Sequence, residues 1–313
     1  AIIRTFVLGG KEITINDVVF KIGPRINASG RMQSGSEAVE LLVSRDAKEA
    51  NRRSLEIDQY NKDRKELDKR ITEEANAILE QRGEMHSPKK SIVIYNKDWH
   101  KGIIGIVASR LTELYYKPSI VLTLSNGLAT GSSRSVQNFD IYKAVESTRD
   151  LLENFGGHTY AAGLTMKPER FDEFRSRFEA YVEAHIDPEK LVPQIDIDEP
   201  LRFDEITPAF RRTLSAFQPF GPGNPSPVFV TADVSDNVSA RLVGARGEHL
   251  KMELVQRQHP FSPISAIAFG QIDYFDHIKR GGSIDICYNI VENHYQGSVT
   301  PQLRIKDIKP VRM

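Results

Sequence analysis

One stretch of the chain, residues 131–163, carries at each of its ends a group of side chains that could bind a phosphate. The stretch opens with Gly131-Ser132-Ser133-Arg134-Ser135 and closes with Gly156-Gly157-His158-Thr159-Tyr160-Ala161-Ala162-Gly163. An arginine binds a phosphate through two parallel hydrogen bonds, and serine hydroxyls with free backbone N–H groups complete such a cradle. If the fold brings both ends to one cleft, a guanidinium, three hydroxyls and an imidazole converge on it.

The residues between these ends predict a helix. Apolar side chains recur at helical spacing, and Asp140 stands before them as an N-cap: Ile141, Ala144, Val145, Leu151 and Leu152. A glycine pair after such a segment can end the helix and let backbone approach a ligand closely. The arginine and the histidine are then expected in turns at opposite ends of one helical segment. On residue types alone, Gly156-Gly157 could equally be a simple C-cap and His158 an ordinary loop histidine.

The composition is that of an ordinary globular protein with no global signal for nucleic acid. The 313 residues suffice for two domains, and 42 basic residues balance 42 acidic ones, so any nucleic-acid site must be a local patch. A single cysteine, Cys287, excludes an intrachain disulfide, and no Cys/His cluster has zinc spacing. No apolar run approaches the roughly 20 residues of a membrane span.

The first third of the chain predicts a loop and two helices. Residues 24–31, PRINASGR, are small, polar and doubly basic, which is typical of a solvated loop. Ser36 can cap a short helix. A second helix starts at Asp46 and runs to about Arg82 without proline or glycine, on the order of 50 Å. Its apolar stripe is too thin for a coiled coil, so we interpret it as a connector between domains.

Residues from about 90 to 186 predict an α/β domain. The expected strands are 91–95, 119–124, 128–133 and 164–166, and the expected helices are 103–114, the segment from 141 and 169–184. The turn after the first strand carries Trp99, His100 and Lys101. The last two could reach a phosphate or merely face solvent, and Trp99 could simply anchor the turn.

The remainder of the chain predicts a small β-barrel, with strands near 194–201, 228–234, 238–243, 249–255, 264–269, 284–291 and 302–308. Basic residues gather on or beside the predicted strands 238–243 and 249–255: Arg241, Arg246, Lys251 and Arg257. With Phe269, Tyr274, Tyr288 and Tyr295 they form a candidate single-strand groove. The alternative is a set of core aromatics beside a solvated hairpin.

Six pieces of the chain, in order, resemble the DHH phosphoesterase superfamily and, within it, the RecJ family of single-stranded-DNA exonucleases. They are IGPRINASGRM (22–32), DWHKGIIGIVASRL (98–111), the stretch 131–163, PFGPGNPSPVF (219–229), GEHLKMEL (247–254) and VENHYQGSVTPQLRIKDIKP (291–310). The resemblance implies an α/β plus all-β fold: a remnant of a catalytic domain (1–35), connector helices (36–86), a DHH-associated domain (87–186) and an OB-fold (187–313).

The resemblance also implies roles for residues. Arg134 and the flanking serines would hold nucleotide phosphates, and His158 would contact the scissile phosphate, so both are expected to be catalytic. Expected nucleic-acid contacts are Arg25, Asn27, Arg31, His100, Lys101, Arg110, Ser132, Ser133, Ser135, Gly156, Gly157, Arg241, Arg246, Lys251 and Arg257. The family's Asp-His-His motif and its Mn²⁺ or Mg²⁺ ions belong to an upstream domain that this sequence lacks, so no metal or other cofactor is expected in this chain.

The expected function is therefore the substrate-binding half of a metal-dependent 5′-to-3′ single-stranded-DNA exonuclease of repair and recombination, inactive alone. Two alternatives remain: a non-catalytic single-strand-binding module, and a phosphodiesterase for short oligoribonucleotides or cyclic dinucleotides. Expected partners are single-stranded DNA and possible protein partners such as a single-strand-binding protein or a helicase, without a membrane. The N-terminus, Ala1-Ile2-Ile3, lacks a signal-peptide pattern. The scarcity of cysteine and the family resemblance together indicate the cytoplasm.

Overall fold

The computed structural model describes residues 1–6, 13, 15–85, 87–221, 223–257, 259–295 and 298–311. The chain divides into two compact units, Ala1–Pro193 and Gln194–Met313. The first is a helical segment followed by an α/β domain, and the second is a β-barrel. This confirms the expected α/β plus all-β class. No helix in the described ranges is both long and apolar enough to cross a membrane.

Helices fill the first third of the chain. They are α1 (Ile2–Phe6), α2 (Ile15–Asp17), α3 (Gly23–Met32), α4 (Gly35–Val43) and α5 (Ala47–Gln81), with one π-helical segment, Val18–Ile22, before α3. The loop predicted at 24–31 is wrong, because these residues form α3. Pro24 lies in its first turn, where a missing N–H costs nothing, and Ala28 and Ser29 are fully buried. Burial of this small-residue face overrides the local turn propensity.

The long helix α5 agrees closely with its prediction. Asp46 caps it by accepting a hydrogen bond from the N–H of Lys48 at 2.9 Å. Its first half packs Ile57 against buried residues of α4, and its second half buries Ile71 and Leu79 against the α/β domain. One continuous helix therefore contributes to two hydrophobic clusters of the first unit.

A five-stranded sheet organises the α/β domain. Its strands are β1 (Ile92–Tyr95), β2 (Ser119–Ser125), β3 (Leu128–Arg134), β4 (Leu152–His158) and β5 (Ala161–Met166), in the order β1-β2-β3-β5-β4. Only the β1–β2 pair is parallel. Helices α7 (Ile141–Glu146) and α8 (Phe171–His185) share one core with the sheet, and α6 (Ile104–Tyr115) shares another with α5. The sheet is thus packed on both faces.

The segment between the arginine and the histidine differs from its prediction. Helix α7 has only six residues, a short 3₁₀ turn covers Arg149–Leu151, and the glycine pair with His158 ends strand β4 instead of capping a helix. The hydroxyls of Ser147 and Thr148 donate to the carbonyls of Ala144 and Val145, which satisfies the end of α7 early. Likewise, Gly131–Arg134 belongs to strand β3, not to a turn.

The second unit is a closed barrel. Its elements are β6 (Glu199–Pro200), α9 (Pro208–Ala216), β7 (Phe229–Asp236), β8 (Arg241–Val243), β9 (His249–Gln256), β10 (His259–Phe269), α10 (Phe275–Lys279), β11 (Ile284–Tyr295) and β12 (Ser298–Pro310). The sheet runs β6-β7-β11-β12-β10-β9-β8, and a further β7–β9 pairing closes a ring of five strands. Five strands in a closed ring are typical of an OB-fold. The strand predicted at 194–201 is reduced to the two residues of β6.

Candidate nucleic-acid interface

The registers of β3, β5 and β4 place three rows of residues across one sheet face. The rows are Arg134–Ala161–His158, Ser132–Gly163–Gly156 and Thr130–Thr165–Asn154. Successive residues of a strand point to opposite faces, so the members of these rows share one side of the sheet. The strand pairing, and not a helix, therefore brings the arginine and the histidine to one surface.

Part of this face is open. Helix α6 packs on β2 and β3, where Gly105 allows close contact: a Cβ there would lie 3.0 Å from Ser132 Oγ and 3.3 Å from Arg134 Nη2. Next to α6, β5 and β4 line a cavity of about 860 Å³ that the end of α3 and the turn before α6 also border. Gly156 and Gly163 in the central row have no side chains, so the cavity extends to the backbone of β4 and β5.

Arg134 is a half-buried guanidinium without a carboxylate partner in the described part of the chain. Its Nη1 donates to Ser132 Oγ at 3.0 Å and to the carbonyl of Ser133 at 2.7 Å. Burial lowers the pKa of Arg134, and the neighbouring positive charge of Arg31 lowers it further. An arginine that is desolvated and repelled by another cation is stabilised by any anion that enters the cavity.

Arg31 reaches the cavity from the end of α3. Its Nη1 donates to the carbonyl of Gly102 at 3.2 Å, and a Cβ on Gly102 would lie only 2.1 Å from the Arg31 carbonyl oxygen. Glycine is therefore required for this contact between α3 and the turn before α6. His100 and Lys101 from the same turn also line the cavity, whereas no aspartate or glutamate is among its described lining residues. These residue types favour an anion as the ligand of the cavity.

Two of the three predicted serines have other roles. Ser133 Oγ lies on the buried face, where it donates to the carbonyl of Ala162 and accepts from its N–H, both at 2.9 Å. Ser135 Oγ donates to the Phe139 carbonyl at 2.7 Å. Only Ser132 faces the cavity, because alternate residues of a strand point to opposite sides.

The predicted residues outside the cavity differ in their surroundings. Arg110 forms two hydrogen bonds with the buried carboxylate of Asp68, at 2.7 and 2.8 Å, which raises the pKa of Arg110. Arg25 pairs with Asp58 at 2.8 Å, while Asn27 is exposed. Arg110 thus links α6 to α5, and Arg25 links α3 to α5. Arg31 and Arg134 are the arginines that line the cavity.

His158 is exposed at the end of β4, and its Nδ1 accepts a hydrogen bond from the N–H of Tyr160 at 3.3 Å. Gly157 before it is held tightly, since a Cβ there would lie 2.3 Å from the Ala161 carbonyl oxygen. The hairpin between β4 and β5 therefore fixes the backbone that carries this imidazole.

Sequence reasoning missed several cavity residues, namely Gly105, Thr130, Asn154, Gly163 and Thr165. It also missed Arg64 on α5, whose Nε is buried and has no hydrogen-bond partner among the residues that the structure describes, and whose pKa is lowered by burial and by Arg31 and Arg110. Gly163 could have been predicted as a site residue, because it lies in the Ala161-Ala162-Gly163 motif. Arg64 could not, because it is one of many charged residues in a helical segment.

The barrel presents a second basic row. Cross-strand pairing aligns Arg241, Lys251, Ile267 and Arg304 across β8, β9, β10 and β12. The adjacent Phe269 is 47% exposed, with the His249 ring 4.8 Å away and the Arg304 guanidinium 5.4 Å from its centroid. Arg304 and His249 were not predicted. An exposed ring among cations is the arrangement on which bases stack.

Other predicted barrel residues lie elsewhere. Tyr288 is fully buried, its hydroxyl 2.8 Å from Thr231 Oγ1, so its predicted place in a groove is wrong. Tyr274 packs against the same core. Arg257 follows the far end of β9 and donates to the Gly281 carbonyl, and Arg246 is exposed in the β8–β9 turn. The side chain of Tyr295 lies outside the described residues.

The residues described contain no group of three or more histidines, cysteines, aspartates or glutamates that could hold a metal ion. The cavity offers cations, hydroxyls and amides, whereas Mn²⁺ and Mg²⁺ bind mainly to carboxylate oxygens. Its residues do not fit a divalent cation as primary ligands.

The chain thus combines an α/β domain that has a cation-lined cavity with a five-stranded barrel that has a basic outer row. Residues 89–184 match the DHHA1 domain, and residues 197–307 match the RecJ OB domain. The chain therefore contains a DHHA1 domain followed by a RecJ OB domain.

Curated relatives agree along nearly the whole chain. The single-stranded-DNA-specific exonuclease RecJ of Bacillus subtilis is 34% identical over 299 residues, which are 95% of this chain and 37% of that protein. The protein of the same name from Salmonella typhimurium is 31% identical over 96% of this chain and 52% of its own length. The chain thus spans between about a third and a half of these relatives.

A solved structure has a similar fold. The crystal structure of RecJ in complex with Mn²⁺ from Thermus thermophilus superposes with a TM-score of 0.79 at 29% identity, covering 95% of this chain and 42% of that one. The Mg²⁺ complex from the same organism gives 0.77 at 27% identity, covering 95% and 44%.

Proposed function

We propose that this chain is the substrate-binding half of a metal-dependent exonuclease that degrades single-stranded DNA from its 5′ end in repair and recombination. The observation that carries the proposal is the cavity lined by Arg31, Lys101, Arg134 and Ser132, whose described lining residues include no carboxylate. A backbone phosphate of the DNA supplies the missing negative charge and accepts the guanidinium hydrogen bonds. We infer single-stranded DNA as the substrate because the relatives are named single-stranded-DNA-specific exonucleases.

The row Arg134–Ala161–His158 supports the catalytic roles of its end residues. Arg134 and His158 lie on strands separated by β5, so their backbones are about 10 Å apart at the usual strand spacing. A phosphate above the middle of the row lies within reach of both side chains. The guanidinium holds the phosphate, and the imidazole stabilises charge that develops on the scissile group.

Metal ions enter this function from another part of the full-length enzyme. The Thermus thermophilus relative was solved with Mn²⁺ and with Mg²⁺. Bound near a phosphate, such ions activate a water and neutralise charge on the leaving oxygen. Since the residues in hand do not fit a divalent cation, the chain alone binds DNA without cleaving it.

The barrel binds a second part of the single-stranded DNA. Its basic row and the exposed Phe269 supply phosphate contacts and a stacking surface, which together bind single strands with little sequence preference. A single-strand-binding protein or a helicase would deliver such a strand, and the setting is the cytoplasm. The proposals of a protein partner and of a cytoplasmic setting rest on the resemblance to the RecJ family alone.

Binding to labelled DNA tests the proposal. Fluorescence anisotropy of a 3′-labelled 30-nucleotide single strand, at low and moderate salt, is compared with a duplex of equal length, and a parallel sample is incubated with Mn²⁺. We expect salt-sensitive binding that favours the single strand, without cleavage. Equal affinity for duplex, or no binding at low salt, contradicts the proposed substrate, and cleavage by the chain alone contradicts the division of labour.

A further inference from the structure

The single tryptophan of the chain lies in the turn that borders the cavity. Trp99 precedes His100 and Lys101 in this turn, and its side chain is buried. The indole Nε1–H donates a hydrogen bond to Oε2 of Glu74 on α5, at 2.7 Å. The ring also belongs to the hydrophobic cluster that contains Ile71 of the same helix. Both the polar and the apolar parts of the indole therefore hold the turn against α5.

A second hydrogen bond holds the backbone of the same residue. The hydroxyl of Thr123 on β2 is fully buried and donates to the Trp99 carbonyl at 2.6 Å. Trp99 is thus fixed at two points, one on α5 and one on the sheet. Glu74 can be replaced without opening a void in the core, because its side chain is 45% exposed. The contact with α5 is therefore the one that a substitution can remove selectively.

This turn also determines the position of Arg31. The Gly102 carbonyl accepts a hydrogen bond from Arg31 Nη1 at 3.2 Å, and the absence of a side chain on Gly102 lets the two backbones touch. The neighbouring Met32 packs against the cluster that contains Trp99. Arg31 lies close enough to Arg134 for their charges to repel. A shift of the turn therefore displaces Arg31 relative to Arg134.

We infer that Glu74 is a positioning residue for the cavity: its hydrogen bond to Trp99 fixes the turn before α6, and that turn orients Arg31. Glu74 is not among the described residues that line the cavity, so it acts through the turn and not by contact with DNA. The inference rests on the proposed function, because the cations that this turn positions are those that would bind the phosphate. It assigns to α5 a role in the site beyond the connection of two hydrophobic clusters.

The negative charge of Glu74 distinguishes this role from an electrostatic effect. Removal of a carboxylate near a cation-lined cavity raises the local positive potential, so electrostatics alone predicts equal or tighter DNA binding for Glu74→Ala and Glu74→Gln alike. Positioning predicts a different pattern. Alanine removes the acceptor of the indole hydrogen bond and weakens binding, whereas the side-chain carbonyl of glutamine still accepts this bond and preserves binding.

Two measurements on the 313-residue chain test the inference. Because Trp99 is the only tryptophan, its fluorescence reports on this turn alone, and quenching by acrylamide measures its accessibility. Fluorescence anisotropy with the 3′-labelled single strand measures DNA affinity across a salt series. Urea unfolding of each variant establishes that it is folded under the conditions of both assays.

Matched variants separate the hydrogen bond from the charge. Trp99→Phe removes the same hydrogen bond from the donor side, and Glu73→Ala removes an adjacent, exposed carboxylate of α5. We expect Glu74→Ala to increase the quenching of Trp99 and to weaken DNA binding about 3- to 30-fold, as for residues that act on a site without touching its ligand. The salt slope should fall by less than the ~0.7 of a lost phosphate contact, because every cation remains. Trp99→Phe should weaken binding by a similar factor, while Glu74→Gln and Glu73→Ala should stay within about twofold of the unsubstituted chain.

The outcomes separate the inference from the proposed function. If the unsubstituted chain binds the single strand and Glu74→Ala binds it equally well, Glu74 is not a positioning residue and the proposed function stands. The inference also fails if Glu74→Gln binds as weakly as Glu74→Ala, or if the quenching of Trp99 is unchanged in Glu74→Ala. Should Glu74→Ala prove unfolded, full affinity in Trp99→Phe would still refute the inference. If the unsubstituted chain does not bind the strand, the proposed function and the inference fail together.

Discussion

Replacing Arg134 with alanine is the most direct test of the cavity. The side chain is half-buried, donates to Ser132 Oγ and to the Ser133 carbonyl, and faces the like charge of Arg31. The substitution removes two internal hydrogen bonds, but it also relieves the burial of a charge beside another cation. These effects oppose each other, so we expect the free energy of unfolding to change by no more than about 1 kcal/mol.

The effect on DNA binding should be larger. A hydrogen bond to a charged group contributes about 1.5–3 kcal/mol, which corresponds to roughly a 10- to 150-fold loss of affinity. The loss of one phosphate contact should also reduce the slope of log affinity against log salt by about 0.7 for a single strand. Arg134→Lys keeps the charge but loses the planar fork, so it should restore the salt slope better than the affinity.

Fluorescence anisotropy with the 3′-labelled single strand measures both quantities across a salt series. Arg170→Ala is the matched control, since Arg170 is an exposed arginine of the same unit that pairs with Glu173. It removes the same charge without touching the cavity. If Arg134→Ala binds within about twofold of Arg170→Ala at every salt concentration, the cavity does not hold a DNA phosphate, and the reasoning from its unpaired cations is refuted.

Three further predictions concern the packing and the barrel. Burial raises the pKa of Tyr288 to about 12. The stability that the neutral Tyr288 hydroxyl contributes is therefore complete below pH 10 and is lost as pH rises towards 12. In urea unfolding at pH 9–12, Tyr288→Phe should reduce this alkaline loss of stability by up to about 3 kcal/mol. Asp68→Ala should lower the free energy of unfolding by about 1–3 kcal/mol, because Arg110 loses both hydrogen bonds; an unchanged urea midpoint contradicts this. Arg241→Ala with Lys251→Ala should reduce the salt slope for a 30-nucleotide strand by about 1.4 while leaving dinucleotide affinity unchanged; an unchanged slope excludes the row as a phosphate track.

Elements with strong local signals were predictable from the sequence. Helix α5 has a capping aspartate and no internal glycine or proline, and it begins and ends where the pattern indicates. The β2–β3 hairpin follows from Asn126-Gly127, whose positive φ angles of 52° and 76° suit the tight turn that this dipeptide favours. In both cases local chemistry and tertiary packing agree.

Strand β4 and helix α3 were not predictable in this way. Leu151 and Leu152 continue a helical spacing, yet the chain pairs from Leu152 onwards with β5, because the sheet provides partners that the local pattern does not reveal. In α3, Pro24 and Gly30 indicate a loop, but burial of Ala28 and Ser29 outweighs them. The types of several site residues could therefore be predicted from the sequence. Their geometry could not, because it depends on the pairing of β4 with β5.

The charge of the interface illustrates why composition alone could not locate it. Equal numbers of basic and acidic residues give no net field, and the arginines in the resembling segments look equivalent in the sequence. Packing distinguishes them: Asp68 neutralises Arg110 and Asp58 pairs with Arg25, whereas Arg31 and Arg134 approach each other in the cavity without a described carboxylate partner. A chain with zero formal charge thereby presents a concentrated positive site. Its DNA affinity should consequently depend on a few named arginines and lysines more than on the total charge of the protein.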